Sequence, residues 1–262
     1  MMMRPRTLAR SGNRLGTRSR LARSGRLPGT GDRRPWALAA LAALILAVAL
    51  VGWQRHSQPT ALAGWALAGP RGPACLRLIV ANDVSGSMSD YSASREEALA
   101  SLLQWAPENL RDTDSIGVLD FAGAATAVRG PQKVEDLASH GSSSLLRSGS
   151  PDVSDTALEP VLTAVGALPG SSCDTVLLLL SDGAASDLPA TAEAALTALQ
   201  DSDVHDVVLL VPSRGIDVPA EWSRAFPTAR PLEFDGRDAD ATAVAIGRAI
   251  AEITDQELRR RG

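Results

Sequence analysis

The chain has 262 residues, 45% of them hydrophobic and only 3% aromatic, so its core is built from Ala, Leu and Val. That length holds one ordinary domain plus extra segments. The net charge of −4 hides an imbalance: residues 1–35 carry ten Arg and one Asp, leaving 16 basic against 29 acidic residues in the rest, so the two ends suit different electrostatic surroundings.

Residues 1–35 mix Arg with Ser, Gly and Thr and hold too little apolar surface to offset the entropy of ordering. They read as a disordered arm. Scattered Arg also suits phosphate contacts, but the segment that follows argues for a membrane role, and no nucleic acid is expected. "WALAALAALILAVALVGW" runs from Trp36 to Trp53 with no charge between Arg34 and Arg55. Eighteen helical residues rise about 27 Å, close to the thickness of a bilayer's hydrocarbon core. Trp at each end suits the two interfaces, and the preceding Arg residues place the N-terminus in the cytoplasm. The rival is a cleaved signal peptide, with "ALA" at 61–63 as its cleavage site. That site lies well beyond the apolar run and the basic region is long, which favours an uncleaved anchor. With no second apolar span, the rest of the chain is expected outside the cytoplasm. Residues 54–73 are rich in Pro and Gly and read as a linker.

From residue 74 strands and helices alternate. "CLRLIVAND" reads as a buried strand. "SREEALASLLQWA" reads as a helix with Leu99, Leu102, Leu103 and Ala106 on one face, and Ser94 with Glu97 in a capping-box pattern. "DSIGVLDFAG" is a strand, "DTALEPVLTAVGAL" a helix and "DTVLLLLSDG" the most apolar strand. "ATAEAALTALQ" is a helix, "DVVLLVPS" and "ARPLEFDG" are strands, and "DADATAVAIGRAIAEI" is a closing helix with Ile246, Ile250 and Ile253 on one face. This order predicts an α/β fold with a mostly parallel sheet covered on both faces. Ligands of such sheets sit beyond the carboxyl ends of the strands. "NDVSGSMSD" (82–90) and "LLSDG" both fall at that edge.

Asp83, Ser85 and Ser87 follow the first strand, Asp182 ends another, and Thr156 opens a helix between them. Taken alone, D-x-S-x-S is a turn with solvated hydroxyls. Converging on one point, these residues form an oxygen-only donor set. Such a set suits Mg²⁺, Mn²⁺ or Ca²⁺ rather than zinc or copper. Two carboxylates only balance the ion, so it stays electrophilic toward an incoming carboxylate.

D-V-S-G-S at 83–87, Thr156 in "SDTALEPVL" and Asp182 in "LLLLSDG" together resemble the von Willebrand factor type A domain and its metal-ion-dependent adhesion site. The resemblance covers roughly residues 74–257, with 258–262 as a C-terminal tail. It implies a Rossmann-like, doubly wound six-stranded sheet flanked by helices, mostly parallel with one short antiparallel edge strand. It also implies hydroxyl ligation by Ser85, Ser87 and Thr156, with Asp83 and Asp182 acting directly or through water. A protein partner's acidic side chain would complete the site. The family's last helix can shift on binding, and residues 238–254 match it in position. In this family the strands preceding Asp83 and Asp182 are neighbours. Cys75 and Cys173 then lie at similar depth at the opposite end, which implies a disulfide outside the cytoplasm. Asp120, in "VLDFAG", reads as a surface or capping residue rather than an outer group of the site.

The resulting expectation is a single-pass membrane protein whose extracytoplasmic domain binds a protein through a divalent metal, without catalysis. An envelope-complex assembly scaffold is the alternative within that class. From another class, a Mg²⁺-dependent haloacid-dehalogenase-like phosphatase would need an Asp where Ser85 stands and a phosphate-binding lysine, for which Lys133 is the only candidate. No G-x-S-x-G precedes a hydrolase triad, and His56, His140 and His205 are too scattered for zinc.

Overall fold

The structure is a computed structural model and describes residues 61–72, 74–140, 155–213 and 215–261. The basic arm and the apolar run 36–53 lie outside the described residues. Among the described residues, no helix is long and apolar enough to cross a membrane.

The central strands form because Val, Leu and Ile are continuous there, which only a sheet buried on both faces can absorb. β2 (Leu76–Asp83) is buried along its whole length. It pairs in parallel with β3 (Ser115–Phe121) on one side and β5 (Asp174–Leu180) on the other. β6 (Asp206–Val211) and the two-residue β7 (Leu232–Glu233) extend the sheet in parallel beyond β5. β4 (Ala125–Lys133) closes the far edge antiparallel to β3, giving the order β4-β3-β2-β5-β6-β7. The expected mixed six-stranded α/β sheet is present.

Side-chain alternation divides the core into two layers. Leu78, Val80, Val176 and Leu178 face α1 (Ser92–Asn109), α2 (Val134–His140) and α6 (Ala239–Ile253). Ile79, Ala81, Leu177 and Leu179 face α3 (Glu159–Gly166), α4 (Ala192–Asp201) and α5 (Ala220–Ala225). Each fully buried Leu or Ile contributes about 1.5–3 kcal/mol relative to exposure, so the double-sided burial of β2 and β5 is the main support of the fold. Leu99, Leu102, Leu103 and Ala106 are buried on α1, as the helical pattern predicts.

Several boundaries differ from the sequence reading. α1 starts at Ser92, and its N-cap, Tyr91, makes no side-chain cap. The Ser94–Glu97 capping box does not form; the Ser94 hydroxyl donates instead to the carbonyls of Tyr91 and Gly236. β4 has nine residues and escaped the pattern because it is largely exposed, carries Pro131 and pairs through irregular register. An edge strand tolerates Pro, since the missing N–H faces solvent.

Part of the linker also folds. Leu62 is fully buried, and β1 (Trp65–Ala68) pairs antiparallel with β8 (Glu257–Arg260), in what reads as the closing helix's end and the tail. The Trp105 indole donates to the Trp65 carbonyl, the Asn109 side chain accepts from Leu67 N, and the Arg260 guanidinium lies 5.4 Å from the Trp65 ring centroid. Arg71 forms a double hydrogen bond to the fully buried Asp114 at 2.5 and 2.8 Å. The domain therefore reaches beyond 74–257 at both ends, because "ALAGWALA" has apolar surface that α1 and α6 bury.

Candidate metal centre

β2 delivers Asp83 at its last position, where the ladder with β3 ends and Val84 N donates to Phe121 O at 2.8 Å. Asp83 is fully buried. One carboxylate oxygen accepts from Ser85 N at 2.9 Å and the other from the Ser181 hydroxyl at 2.6 Å. Burial holds its carboxyl above the ordinary value. The hydrogen bonds from Ser181 and Ser85 pull it part of the way back, and the Asp182 charge pushes it up.

The chain leaves Asp83 through Ser85 and enters a 3-10 segment, Gly86–Tyr91. The Ser85 and Ser87 hydroxyl oxygens are 3.2 Å apart, and Ser87 donates to Asp182 Oδ2 at 2.8 Å. With its hydrogen committed to Asp182, the Ser87 oxygen accepts from Ser85. Asp182 Oδ1 accepts from Ala184 N at 3.0 Å. Gly183 turns the chain at φ 76°, and a Cβ there would stand 3.0 Å from the Leu209 side chain. That positive φ is what glycine permits cheaply, and it explains the Gly of "SDG". Asp83, Ser85, Ser87 and Asp182 are thus joined into one network through the Ser85 N–H and the Ser85 and Ser87 hydroxyls, with Ser181 bracing Asp83 against the Gly183 turn.

Thr156 arrives from the other side. Its side chain is nearly buried, and the next residue, Ala157, donates its N–H to Ala122 O just past β3. The Thr156 carbonyl accepts from Ser186 N at 2.8 Å, tying this loop to the one that carries Asp182. Asp187 accepts from Leu158 N and Glu159 N, both at 2.7 Å, which satisfies the start of α3. The Thr156 hydroxyl is not part of the network that joins the other four residues.

Three residues behind these side chains carry no motif signal. Ser181 looks like an ordinary turn residue, yet its hydroxyl donates to Asp83 and accepts from Gly183 N at 3.0 Å. Arg95, on the second turn of α1, is 4% exposed and donates from Nη1 to the Asp83 carbonyl. Asp120, which reads as a surface residue, is 6% exposed and accepts from Asn82 Nδ2 at 3.1 Å. It is buried because its position on β3 is paired in register with Asn82 on β2, inside the sheet.

The donor set is two carboxylates and neutral hydroxyls. Oxygen donors of this kind suit a hard cation better than a soft, nitrogen- or sulfur-ligated one; among the described residues there is no cluster of three or more His, Cys, Asp or Glu that could hold a metal. A hard divalent cation fits: it would favour the ionised Asp83 that burial otherwise disfavours. At the opposite ends of the same strands, Cys75 and Cys173 form a disulfide with Cα atoms 4.6 Å apart. Asp174 N donates to the Cys75 carbonyl at 2.9 Å beside it. His205 stands 3.7 Å from Asp174, half exposed and remote from the carboxyl edge.

No protein-family profile and no curated protein matches the chain. Solved structures do match. Proximal thread matrix protein 1 from the mussel byssus aligns with TM-score 0.52 at 14% identity, over 75% of this chain and 50% of that one. A von Willebrand factor type A protein from Catenulispora acidiphila aligns with TM-score 0.50 at 19% identity, over 71% of this chain and 46% of that one. The chain spans about half the length of each of these structures. At such identities the likeness reports fold alone: the folded unit has the fold of the von Willebrand factor type A domain.

Proposed function

We propose that this domain binds a protein partner through a divalent cation held by Asp83, Ser85, Ser87, Thr156 and Asp182, with the partner's carboxylate as the last ligand. The observation that carries this reading is the hydrogen-bonded network Asp83–Ser181 and Ser85–Ser87–Asp182 at the carboxyl edge of the sheet. When bound, the ion supplies a positive centre with an open position for a carboxylate. Asp83 and Asp182 supply its charge balance. Ser181 orients the Asp83 carboxylate, and the neutral serine hydroxyls complete ligation without cancelling the charge that attracts an acidic partner. Mg²⁺ suits this set, as do Mn²⁺ and Ca²⁺. The Ser181 and Ser87 hydroxyls donate to Asp83 and Asp182, carboxylates that this reading commits to the cation, and Ser85 stands where a phosphatase would place its acid–base Asp, so the reading is binding without catalysis.

In this reading residues 36–53 anchor the protein in the membrane with its N-terminus in the cytoplasm, and the domain acts outside. The Cys75–Cys173 bridge supports an oxidising location. The test is calorimetric titration of Mg²⁺ into the full chain in detergent, beside Asp83→Ala. Heat in the wild type that disappears in the variant is expected. Equal heats, or none in the wild type with Mg²⁺, Mn²⁺ or Ca²⁺, refute the metal site. Protease added to intact cells checks the topology: a C-terminal domain that stays protected refutes it.

A further inference from the structure

The proposed site contains more charge than its ligands. Asp83, Asp120 and Asp182 place three carboxylates at the ends of adjacent strands β2, β3 and β5. Two of them, Asp83 and Asp120, are almost inaccessible to solvent. An extra carboxylate beside the ligands would give the bare site a formal charge of minus three, and a bound divalent ion would leave it negative. Such a site holds cations well and repels an acidic partner.

Arg95 changes that count. Its guanidinium is buried against the Asp83 carbonyl, and its charge interacts with Asp83 first and Asp120 second. Burial pulls its pKa down from the ordinary arginine value, while Asp83, Asp120 and, last, its exposed neighbour Glu96 oppose that pull; a guanidinium stays charged in proteins regardless. Burying one charge is expensive unless an opposite one lies near, and here Asp120 and Arg95 are buried together. Arg95 Nε has no hydrogen-bond partner, and neither has Asn82 Oδ1 beside Asp120. A guanidinium placed only to cap the last carbonyl of β2 could do so from a less buried position, without an orphaned N–H.

We propose that Arg95 and Asp120 are a buried compensating pair that sets the charge of the site, so that a divalent ion neutralises it and remains open to a carboxylate. The inference rests on the metal-binding reading above. Asp120 strengthens the hold on the cation and Arg95 weakens it. Neither touches the ion; they are positioning residues that act through the field. The pair also selects valence: without Arg95 the site favours a trivalent ion.

The test is a charge cycle on the full chain in detergent, reading Mg²⁺ by calorimetry and Tb³⁺ by its luminescence. Arg95→Met is expected to tighten Mg²⁺ on the order of tenfold and to raise the preference for Tb³⁺ over Mg²⁺. Asp120→Asn is expected to weaken Mg²⁺ by a similar factor and to lower that preference. The double variant returns to within about threefold of wild type, as does Arg95→Lys, which keeps the charge. A purely structural role lowers affinity in both single variants and leaves the valence preference alone; that result overturns the proposal. If Arg95→Met does not fold, Asp120→Asn with unchanged valence preference is enough to overturn it. A wild type that binds neither ion removes the metal reading and this inference with it. A wild type that binds, with singles moving in one direction, overturns the charge pair alone.

Discussion

Removing the Cys75–Cys173 bridge tests how the fold supports its two central strands. The cysteines are 98 residues apart in sequence, and the ladder they lock runs from Leu76–Asp174 to Asn82–Leu180. That ladder is buried on both faces and does not need the cross-link to form, so the bridge acts mainly on the unfolded chain. For a loop of this length the chain-entropy model gives about 4.7 kcal/mol. Set against a typical domain stability of about 5–15 kcal/mol, this is a third or more of the total. At about 2–4 °C per kcal/mol for a domain of this size, the midpoint should fall by about 10–20 °C. The assay is thermal and urea unfolding of residues 58–262, which form one compact unit, as wild type and as the Cys75→Ala/Cys173→Ala double variant. Thiol labelling of the unreduced, unfolded wild type should find no free thiol. Two reactive thiols would refute the bridge. A midpoint change under about 2 °C would refute the argument that loop closure dominates its effect.

Saturating Mg²⁺ at one hundred times its Kd should stabilise the wild-type unit by about 2.7 kcal/mol, and Asp83→Asn should abolish this, as melting curves with and without EDTA would show. In EDTA the sign follows from the raised Asp83 carboxyl. The stability of its protonated form is fully present below the ordinary value of 3.8 and is lost as pH rises through the raised folded value. Asp83→Asn should therefore gain on wild type as pH rises through that window, and a constant difference from acid to neutral pH would refute the burial argument. Gly236→Ala places a Cβ 2.2 Å from Pro212 Cβ and 2.6 Å from its carbonyl oxygen, and should cost about 1–3 kcal/mol in urea unfolding. Gly247→Ala drives a Cβ to 2.7 Å from Leu62 Cδ1; limited proteolysis should then cut within 61–68, and the added Leu62→Ala change should restore protection.

The buried strands and the D-x-S-x-S motif are legible because their signals are local. An apolar run of five or more residues has one cheap conformation in an α/β domain, and D-x-S-x-S places its oxygens within a single turn. What was missed depends on pairing between distant residues. "WALA" reads as linker until β8, about 190 residues later, supplies a partner for its backbone. Arg95 lies in a charged stretch, "SREE", whose natural reading is a solvated helix face; only the packing of α1 against the end of β2 shows that it is buried while Glu96 and Glu97 are exposed. Asp120 failed for the same reason, since its burial is set by register with Asn82 and not by its neighbours in sequence. Ser181 carries a hydroxyl whose role depends on Asp83, nearly one hundred residues away.

The same two strands carry both the bridge and the proposed site, and this bears on how rigid the site is. Asp83 ends β2, Asp182 follows β5, and between the bridge and the site the two strands pair residue for residue without a bulge. At their carboxyl ends Ser181 spans from one strand's carboxylate to the turn of the other. The carboxylates are therefore held by elements that cannot slide past one another, as a preorganised cation site requires. Thr156 is held differently, by loop contacts to Ala122 and Ser186 rather than by a strand. Any adjustment of the site to a cation or a partner should then fall on the Thr156 loop and not on Asp83 or Asp182. Amide hydrogen exchange with and without Mg²⁺ would show this: protection should change at 155–158 and stay constant along 76–82 and 174–180. Equal changes in both regions would mean that the strands themselves rearrange.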